Sequence, residues 1–386
     1  MGPSVTVSAR GADRIRRSHP WIYRSDVTHV AAGAGDAVRV VDARGRFLAY
    51  ALYSDRSQIA IRVVSTTESD SFADAWFQRL EQAIAFRASL QLTTDAYRLV
   101  HGEADLLPSL VVDRYGDYLV VQTLSQGTER LATDTVRWLV ERLSPRGILA
   151  RNDPRVRQLE GLEPVVELLH GAVPATVDVH DDGVVMRADL WKGQKTGLFL
   201  DQRENRAAAA AYASGRLLDC FSYNGSFALR LSRTCSSVTA IDVAADATDR
   251  IRDNAARNGR EMEVRTGNVF DELREYDRAD ERFDTIVLDP PAFAKTKAAV
   301  PKALAGYKEI NLRALKLLRP GGYLITCSCS YHVDEAMLGE VVFGAALDAG
   351  ATVAVVEKRM QGRDHPVLLG VPETYYLKCF ILRRLA

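Results

Sequence analysis

From Gly215 to the carboxyl terminus, seven strand-like stretches follow one another, with helix-like stretches between most of them: GRLLDCF, VTAIDV, MEVRTGN, FDTIVLDP, GGYLITCS, TVAVVEKR and YYLKCFILRRL. This alternation predicts an α/β fold, a doubly wound and mostly parallel sheet with helices on both faces. In such a sheet ligands bind beyond the carboxyl ends of the strands, so the residues where each strand runs out carry the functional information.

The chain ahead of Gly215 reads differently. AVRVVDARGRFLAYALYS and IAIRVVS alternate apolar and polar positions, with Gly45 at a hairpin turn, and fit a small β-barrel-like module over residues 1–70. FADAWFQRLEQAIAFRASL then places Phe72, Trp76, Phe77, Leu80 and Ile84 at helical spacing behind a cap at Asp70 or Ser71. Strand-like pieces from about residue 97 and a helix through LATDTVRWLVERL make residues 71–188 a central α+β domain, leaving 189–386 for the doubly wound domain. A chain of 386 residues suits two or three such domains.

The formal net charge is zero, so any contact with nucleic acid has to be a local patch. The first 65 residues hold ten arginines against five aspartates, a surplus of about five positive charges for phosphate. No lysine precedes Lys192, so every fixed cation in that stretch is arginine, whose planar fork suits phosphate and base stacking. His19-Pro20-Trp21-Ile22-Tyr23 sets aromatics among them, with core packing the expected role of Trp21. The five cysteines, at 220, 235, 327, 329 and 379, lack the paired spacing of a metal site, and an odd number does not build a disulfide framework. Apolar runs are interrupted well short of a bilayer's thickness and the start has no apolar leader core, so a cytoplasmic protein without a membrane span is expected.

The first strand of the doubly wound region ends in Asp219-Cys220-Phe221-Ser222-Tyr223-Asn224-Gly225-Ser226-Phe227. That turn has one glycine where a dinucleotide-binding turn has three, which argues against a nicotinamide enzyme; a carboxylate there can accept from a cationic amino-acid cofactor. Asp242, twenty-three positions on, ends the second strand where an acid meets ribose hydroxyls. The third ends at Gly267-Asn268-Val269-Phe270, with a polar side chain for an adenine edge. The fourth ends in Asp289-Pro290-Pro291-Ala292-Phe293. Two prolines cannot continue a ladder, so Asp289 and the backbone carbonyls are left at the crevice, with Phe293 in place to stack on a flipped base.

Asp289-Pro290-Pro291-Ala292-Phe293 and the Asp219–Phe227 turn resemble class I S-adenosylmethionine-dependent methyltransferases that act on nucleobases. HGEADLLPSLVVDRYGDYLVVQ (101–122), GQKTGLFLDQRENR (193–206), LLDCFSYNGSFAL (217–229) and ITCSCSYH (325–332) further resemble the bacterial large-subunit ribosomal-RNA cytosine-C5 methyltransferase family with an amino-terminal PUA domain. This similarity runs through essentially the whole chain. It implies a PUA fold for the opening module, S-adenosylmethionine as cofactor, ribosomal RNA as substrate and a homodimer. Asp219, Phe221 and Gly225 would line the methionine part, Asp242 the ribose, and Asn268 with Val269 the adenine; many relatives carry Asp where Asn268 stands. Phe199 and Gln202 match a Phe-x-x-Gln element that touches the cofactor, Arg203 would pair with its carboxylate, and Asp289 and Pro290 would border it. Pro291, Phe293 and Cys329 would border the base.

Carbon 5 of a pyrimidine is a poor nucleophile until a thiolate adds at C6. Cys327, in a Thr-Cys-Ser setting after GGYLIT, is the expected nucleophile by that resemblance, with Cys329 as alternative because strand side chains repeat every two residues. Asp289 would hold the cytosine N3 and N4 edge. Pro291 stands where many RNA cytosine-C5 methyltransferases have a second cysteine, so Cys329, Tyr307, Lys295 or an ordered water is left to assist removal of the C5 proton. A guanine-N methyltransferase, which shares the acid-Pro-Pro-aromatic motif and needs no thiol, and a non-catalytic RNA-binding ribosome-assembly factor are the competing readings.

Overall fold

A computed structural model describes residues 2–68 and 71–386. Contacts group the chain into two units: one takes the chain up to Val179 with Ala188–Leu200 and Arg363–Thr374, the other His180–Arg187, Asp201–Gly362 and Tyr375–Ala386. Among the described residues no helix is long and apolar enough to cross a membrane.

The first unit contains two sheets. Six strands between Ser4 and Ser65 form the amino-terminal one, mostly antiparallel, with a parallel pair between Ser4–Val7 and Ala37–Val41. Gly45, at φ +76°, turns the chain between Ala37–Val41 and Phe47–Tyr53, and its N–H donates to the Asp42 carbonyl. Five strands between Ala96 and Gly171 form the second sheet. The helix Phe72–Ser89 is capped by the Ser71 hydroxyl, which accepts from Asp74 N at 3.1 Å; Asp70 lies outside the described residues. Leu52 and Val64 of the first sheet share a core with Trp76 and Leu80 of this helix and Val112 and Val121 of the second sheet. The Arg62 guanidinium of the first sheet meets Glu160 at 2.8 Å, both almost fully enclosed. Trp21, expected in the core, is half-buried, and its indole N–H donates to Glu103 at 3.1 Å.

The second unit is built on a seven-stranded sheet. Its strands are β1 (Gly215–Cys220), β2 (Cys235–Asp242), β3 (Glu263–Thr266), β4 (Phe283–Leu288), β5 (Leu318–Ser328), β6 (Val353–Arg359) and β7 (Lys378–Arg384). They lie in the order 3-2-1-4-5-7-6, parallel except for β7, which runs antiparallel to β5 and β6. Period-two alternation sends Leu218, Ile286, Leu324 and Leu382 into one apolar layer and Leu217, Val287, Ile325 and Ile381 into the other. The order of the strands reverses next to β1, and that reversal opens the crevice at its carboxyl end.

The buried Arg62–Glu160 pair generates a stability prediction. Arg62→Met leaves Glu160 as an uncompensated buried charge, at a cost of about 3–5 kcal/mol, so the unfolding midpoint should fall by about 10 °C. Adding Glu160→Leu should recover most of the loss in calorimetry, whereas an unchanged midpoint for Arg62→Met alone contradicts a structural role for the pair.

Candidate active site

The turn after β1 is held in a costly conformation. Phe221 and Tyr223 have φ of +62° and +54°, and Gly225 has +81°. Left-handed backbone at non-glycine residues costs of order 1 kcal/mol each, and hydrogen bonds offset it. Ser222 N donates to the Ile241 carbonyl at 2.9 Å, Gly225 N to the Ser222 carbonyl at 2.9 Å, and Tyr223 N to Asp242 Oδ2 at 2.8 Å. Asp242 Oδ1 accepts from Ala244 N at 3.0 Å, so this carboxylate at the end of β2 fixes both the turn and its own aim. A Cβ on Gly225 would come within 3.2 Å of Ile251, so glycine suits the space as well as the φ.

Asp219, the next-to-last residue of β1, is enclosed beneath this turn and is 1% exposed. Its Oδ2 accepts from Ser222 Oγ at 2.5 Å and Ala228 N at 3.0 Å, while Oδ1 is buried with no hydrogen-bond partner among the described residues. Burial is the main reason its carboxyl is pushed up to about 7; the two donors oppose this, and the charges of Asp289 and Asp242 add to it. An enclosed carboxylate oxygen with an open valence, beside two more carboxylates, suits a cationic ligand group.

Asp289 follows the last residue of β4, and its Oδ1 accepts from the buried Gln202 amide at 2.8 Å. Asn205 Nδ2 donates to Gln202 Oε1 at 2.6 Å, and Arg359 Nε donates to Asn205 Oδ1 at 3.0 Å, so Gln202 is aimed by a relay reaching back to β6. Arg203 is 6% exposed, with Glu204 at 3.7 Å. Phe293 is half-buried and packs against Tyr307, Phe270 and Phe221, with ring centroids at 4.8, 6.1 and 6.4 Å. Gly306 leaves room for its ring, since a Cβ there would come within 3.3 Å.

The two cysteines after GGYLIT have different surroundings. Cys327, still within β5, is fully enclosed in the apolar layer with Ile325, Val287 and Ile381 and stands opposite Cys379 of β7. Its contact with the Cys379 thiol, burial, and the charges of an ionised Cys379 and Asp289 hold its own thiol well above the ordinary range, opposed by a hydrogen bond from Gln202. Cys329 comes after the strand has ended and is half-buried, its Sγ 3.8 Å from the Pro290 carbonyl. Ser328 Oγ donates to Tyr307 Oη at 3.0 Å, and Ser330 Oγ accepts from Ala294 N at 3.2 Å, tying this segment to the loop after Pro291.

Of the remaining expected residues, Asn268 is exposed and caps the helix Val269–Arg278 by accepting from Phe270 N at 2.9 Å; Val269 is buried in the apolar layer around Leu218. Phe199 belongs to the first unit, where Lys195 Nζ lies 4.5 Å over its ring. The second unit therefore gathers Asp219, Phe221, Gly225, Asp242, Asp289, Pro290, Phe293, Gln202 and Cys329 around the strand ends. Asn205, Ser330 and Lys378 were not singled out by motif; an asparagine three residues from Gln202 on a short helix is the one positional signal for the first.

Two family models match the chain, a PUA-like domain over residues 5–66 and an S-adenosylmethionine-dependent methyltransferase over residues 98–367. Ribosomal RNA large subunit methyltransferase I of Alteromonas mediterranea is 40% identical over 389 residues, covering 98% of each chain. The protein of that name from Vibrio cholerae is 38% identical over 394 residues, covering 98% of this chain and 99% of the relative. In fold, the crystal structure of SMU.776 complexed with SAH superposes with a TM-score of 0.84 over 98% of this chain and 99% of that one, at 18% identity. The chain is an enzyme that uses S-adenosylmethionine, and it belongs to the S-adenosylmethionine-dependent methyltransferases, in the family of the ribosomal RNA large subunit methyltransferases I.

Proposed function

We propose that this enzyme forms 5-methylcytosine in large-subunit ribosomal RNA, and that Cys329, rather than Cys327, is the thiol that adds to C6. The observation that carries this choice is the half-buried Cys329 sulfur beside the Pro290 carbonyl, against a Cys327 enclosed on every side. The names borne by its relatives support the substrate. The arginine-rich first unit supports an RNA contact, since Arg16, Arg17, Arg44 and Arg46 are exposed there. The PUA-like part over residues 1–70 and the central part over 71–188 then serve to hold the RNA, with a second copy of the chain completing a dimer in the cytoplasm.

Asp219 Oδ1 suits the cofactor's ammonium, with Phe221 and Gly225 shaping the wall around its methionine part; Asp242 suits the ribose hydroxyls and Asn268 the adenine edge. Arg203 and Phe199 remain proposed neighbours of the cofactor by their match to the Phe-x-x-Gln element. When bound, S-adenosylmethionine would supply an electrophilic methyl group, its sulfur keeping the S–CH3 electron pair as the neutral thioether of S-adenosylhomocysteine. Cys329 adds as a thiolate to C6, and the electron pair of the C5=C6 bond becomes available at C5. After C5 has gained the methyl group it loses its proton to a base; the C5–H electrons re-form the double bond, and the C6–S bond breaks to return the thiolate. Asp289, held by Gln202, accepts from the exocyclic amino group of the base, and the two prolines fix its direction. Phe293 and Pro291 border the base.

Two outcomes follow. A protonated Asp219 cannot pair with an ammonium, so affinity for S-adenosylhomocysteine should rise as the pH passes up through about 7. Calorimetry should show about a tenfold gain between pH 5.5 and 6.5, levelling above 7, with Asp219→Asn weak and flat throughout; a wild type without pH dependence contradicts the pairing. On ribosomal RNA fragments containing 5-fluorocytosine, the wild type and Cys327→Ala should form a covalent adduct resistant to denaturation, and Cys329→Ala none. Loss of the adduct in Cys327→Ala alone returns the role to that residue. An enzyme that methylates RNA yet gives no adduct at all favours guanine-N chemistry.

A further inference from the structure

Lysine is seldom fully enclosed, yet Lys378, the first residue of β7, is 1% exposed. Antiparallel pairing sets Lys378 opposite Ser328 and Cys379 opposite Cys327. Side chains of facing residues share a face, so Lys378 lies on the side of Ser328 and Tyr307, away from the Cys327–Cys379 pair. Two of its three N–H donors go to the Ser330 carbonyl at 2.7 Å and the Tyr376 carbonyl at 3.1 Å, and its Nζ is 6.0 Å from the centre of the Tyr375 ring. The head group therefore grips the chain one residue beyond Cys329, while Pro290 and Ala294 meet the same segment from the opposite loop.

Carbonyls satisfy N–H donors but do not neutralise a buried charge. The groups placed to act on Lys378 as anions are Cys329 when ionised, Asp334 and Glu335, and Cys329 adjoins Ser330, whose carbonyl Lys378 Nζ holds at 2.7 Å. The other two already have work: Asp334 caps the helix Glu335–Ala349 through Met337 N at 2.8 Å, and Glu335 takes Lys358 Nζ at 2.8 Å and Tyr375 Oη at 3.0 Å. From the helix Val300–Leu317, the Tyr307 hydroxyl faces the same segment, and burial keeps it protonated. Burial draws Lys378 down to about 8, so it remains mostly charged at neutral pH, and whatever an ionised Cys329 does for the ammonium, the ammonium does equally for the thiolate.

We propose that the Lys378 ammonium is the counter-ion that holds Cys329 as a thiolate, acting on the reaction through that sulfur rather than on the base. The thiol gives its proton to solvent, and Lys378 keeps its own throughout. This rests on Cys329 being the nucleophile. The test reads the thiol directly: the full-length enzyme is alkylated with iodoacetamide across pH 5.5 to 10, and the Cys329 peptide is quantified by mass spectrometry. Cys235, whose thiol burial pushes up to about 11, is the reference in the same digest. Wild-type Cys329 should titrate at least about one pH unit below the ordinary thiol value of roughly 8.5. Lys378→Met should move it up by about one unit or more, making alkylation at pH 7 about tenfold slower. A wild-type Cys329 that titrates at or above the ordinary value overturns the inference whether or not the variant folds. So does an unchanged profile in a Lys378→Met protein that keeps its circular dichroism and binds S-adenosylhomocysteine. A low-titrating Cys329 without a fluorocytosine adduct keeps the ion pair and removes the nucleophile assignment; an adduct with an ordinary titration does the reverse.

Discussion

Parallel register among β1, β4 and β5 is the constraint on which the site depends. Cys220 stands level with Leu288, and Leu288 with Thr326, so β1 and β4 end together while β5 runs two residues further to Ser328, and each hands its next residues to the same end of the sheet. That alignment is bought with apolar side chains on both faces, Leu218, Ile286 and Leu324 on one and Leu217, Val287 and Ile325 on the other. A slip of one residue between β4 and β5 would exchange the two layers and carry Asp289 and the cysteines to the wrong faces. The chemistry therefore inherits its geometry from the core.

The crevice is electrostatically one-sided. Asp242 and Asp289 both raise the carboxyl of Asp219, which has lost its water and keeps one oxygen unsatisfied. A site of this kind is costly without a ligand, and a cation entering it relieves the cost, which couples cofactor binding to the protonation of one carboxyl. Lys378 adds a buried positive charge, held by the carbonyl of Ser330, the residue after the proposed nucleophile. In the proposed reading the carboxylates face the cofactor's ammonium and ribose, and the ammonium of Lys378 faces an anionic sulfur.

The alternation of strands and helices after Gly215 was legible because period-two and helical patterns are written locally, and strand ends were legible because Asp-Pro-Pro and the single-glycine turn stop a ladder visibly. Asp219 and Asp289 were placed near strand ends in this way, and Asp242 by the end of the second strand and its spacing from Asp219. The distinction between Cys327 and Cys329 was not available, because the two-residue repeat that equates them holds only inside a strand and β5 stops at Ser328. Lys378 escaped for a related reason: inside YYLKCFILRRL nothing local marks it as buried, and only pairing with β5 encloses it. Nor does any local pattern assign Ala188–Leu200 and Arg363–Thr374 to the first unit, since that grouping arises from contacts between residues far apart in sequence. Arg87, which donates to Asp105 at 2.6 Å and to the Asp364 carbonyl at 2.8 Å, is one such contact.

Two cysteines separated by one residue show how little the residue type decides. In Cys327 the sulfur has apolar neighbours, a second thiol across the strand pair and a nearby carboxylate, and each of these disfavours the anion. Cys329 has left the ladder and is half-buried, and although the Pro290 carbonyl 3.8 Å from its sulfur favours the thiol, a buried ammonium holds the carbonyl of the next residue. The ladder itself creates the difference. While β5 continues, its pairing with β7 forces each side chain into one of two layers; where pairing stops at Ser328, that constraint ends, and the half-buried Cys329 is the sulfur proposed to meet the base. An enzyme that needs one reactive thiol beside an inert one can obtain both from the point at which a strand ends.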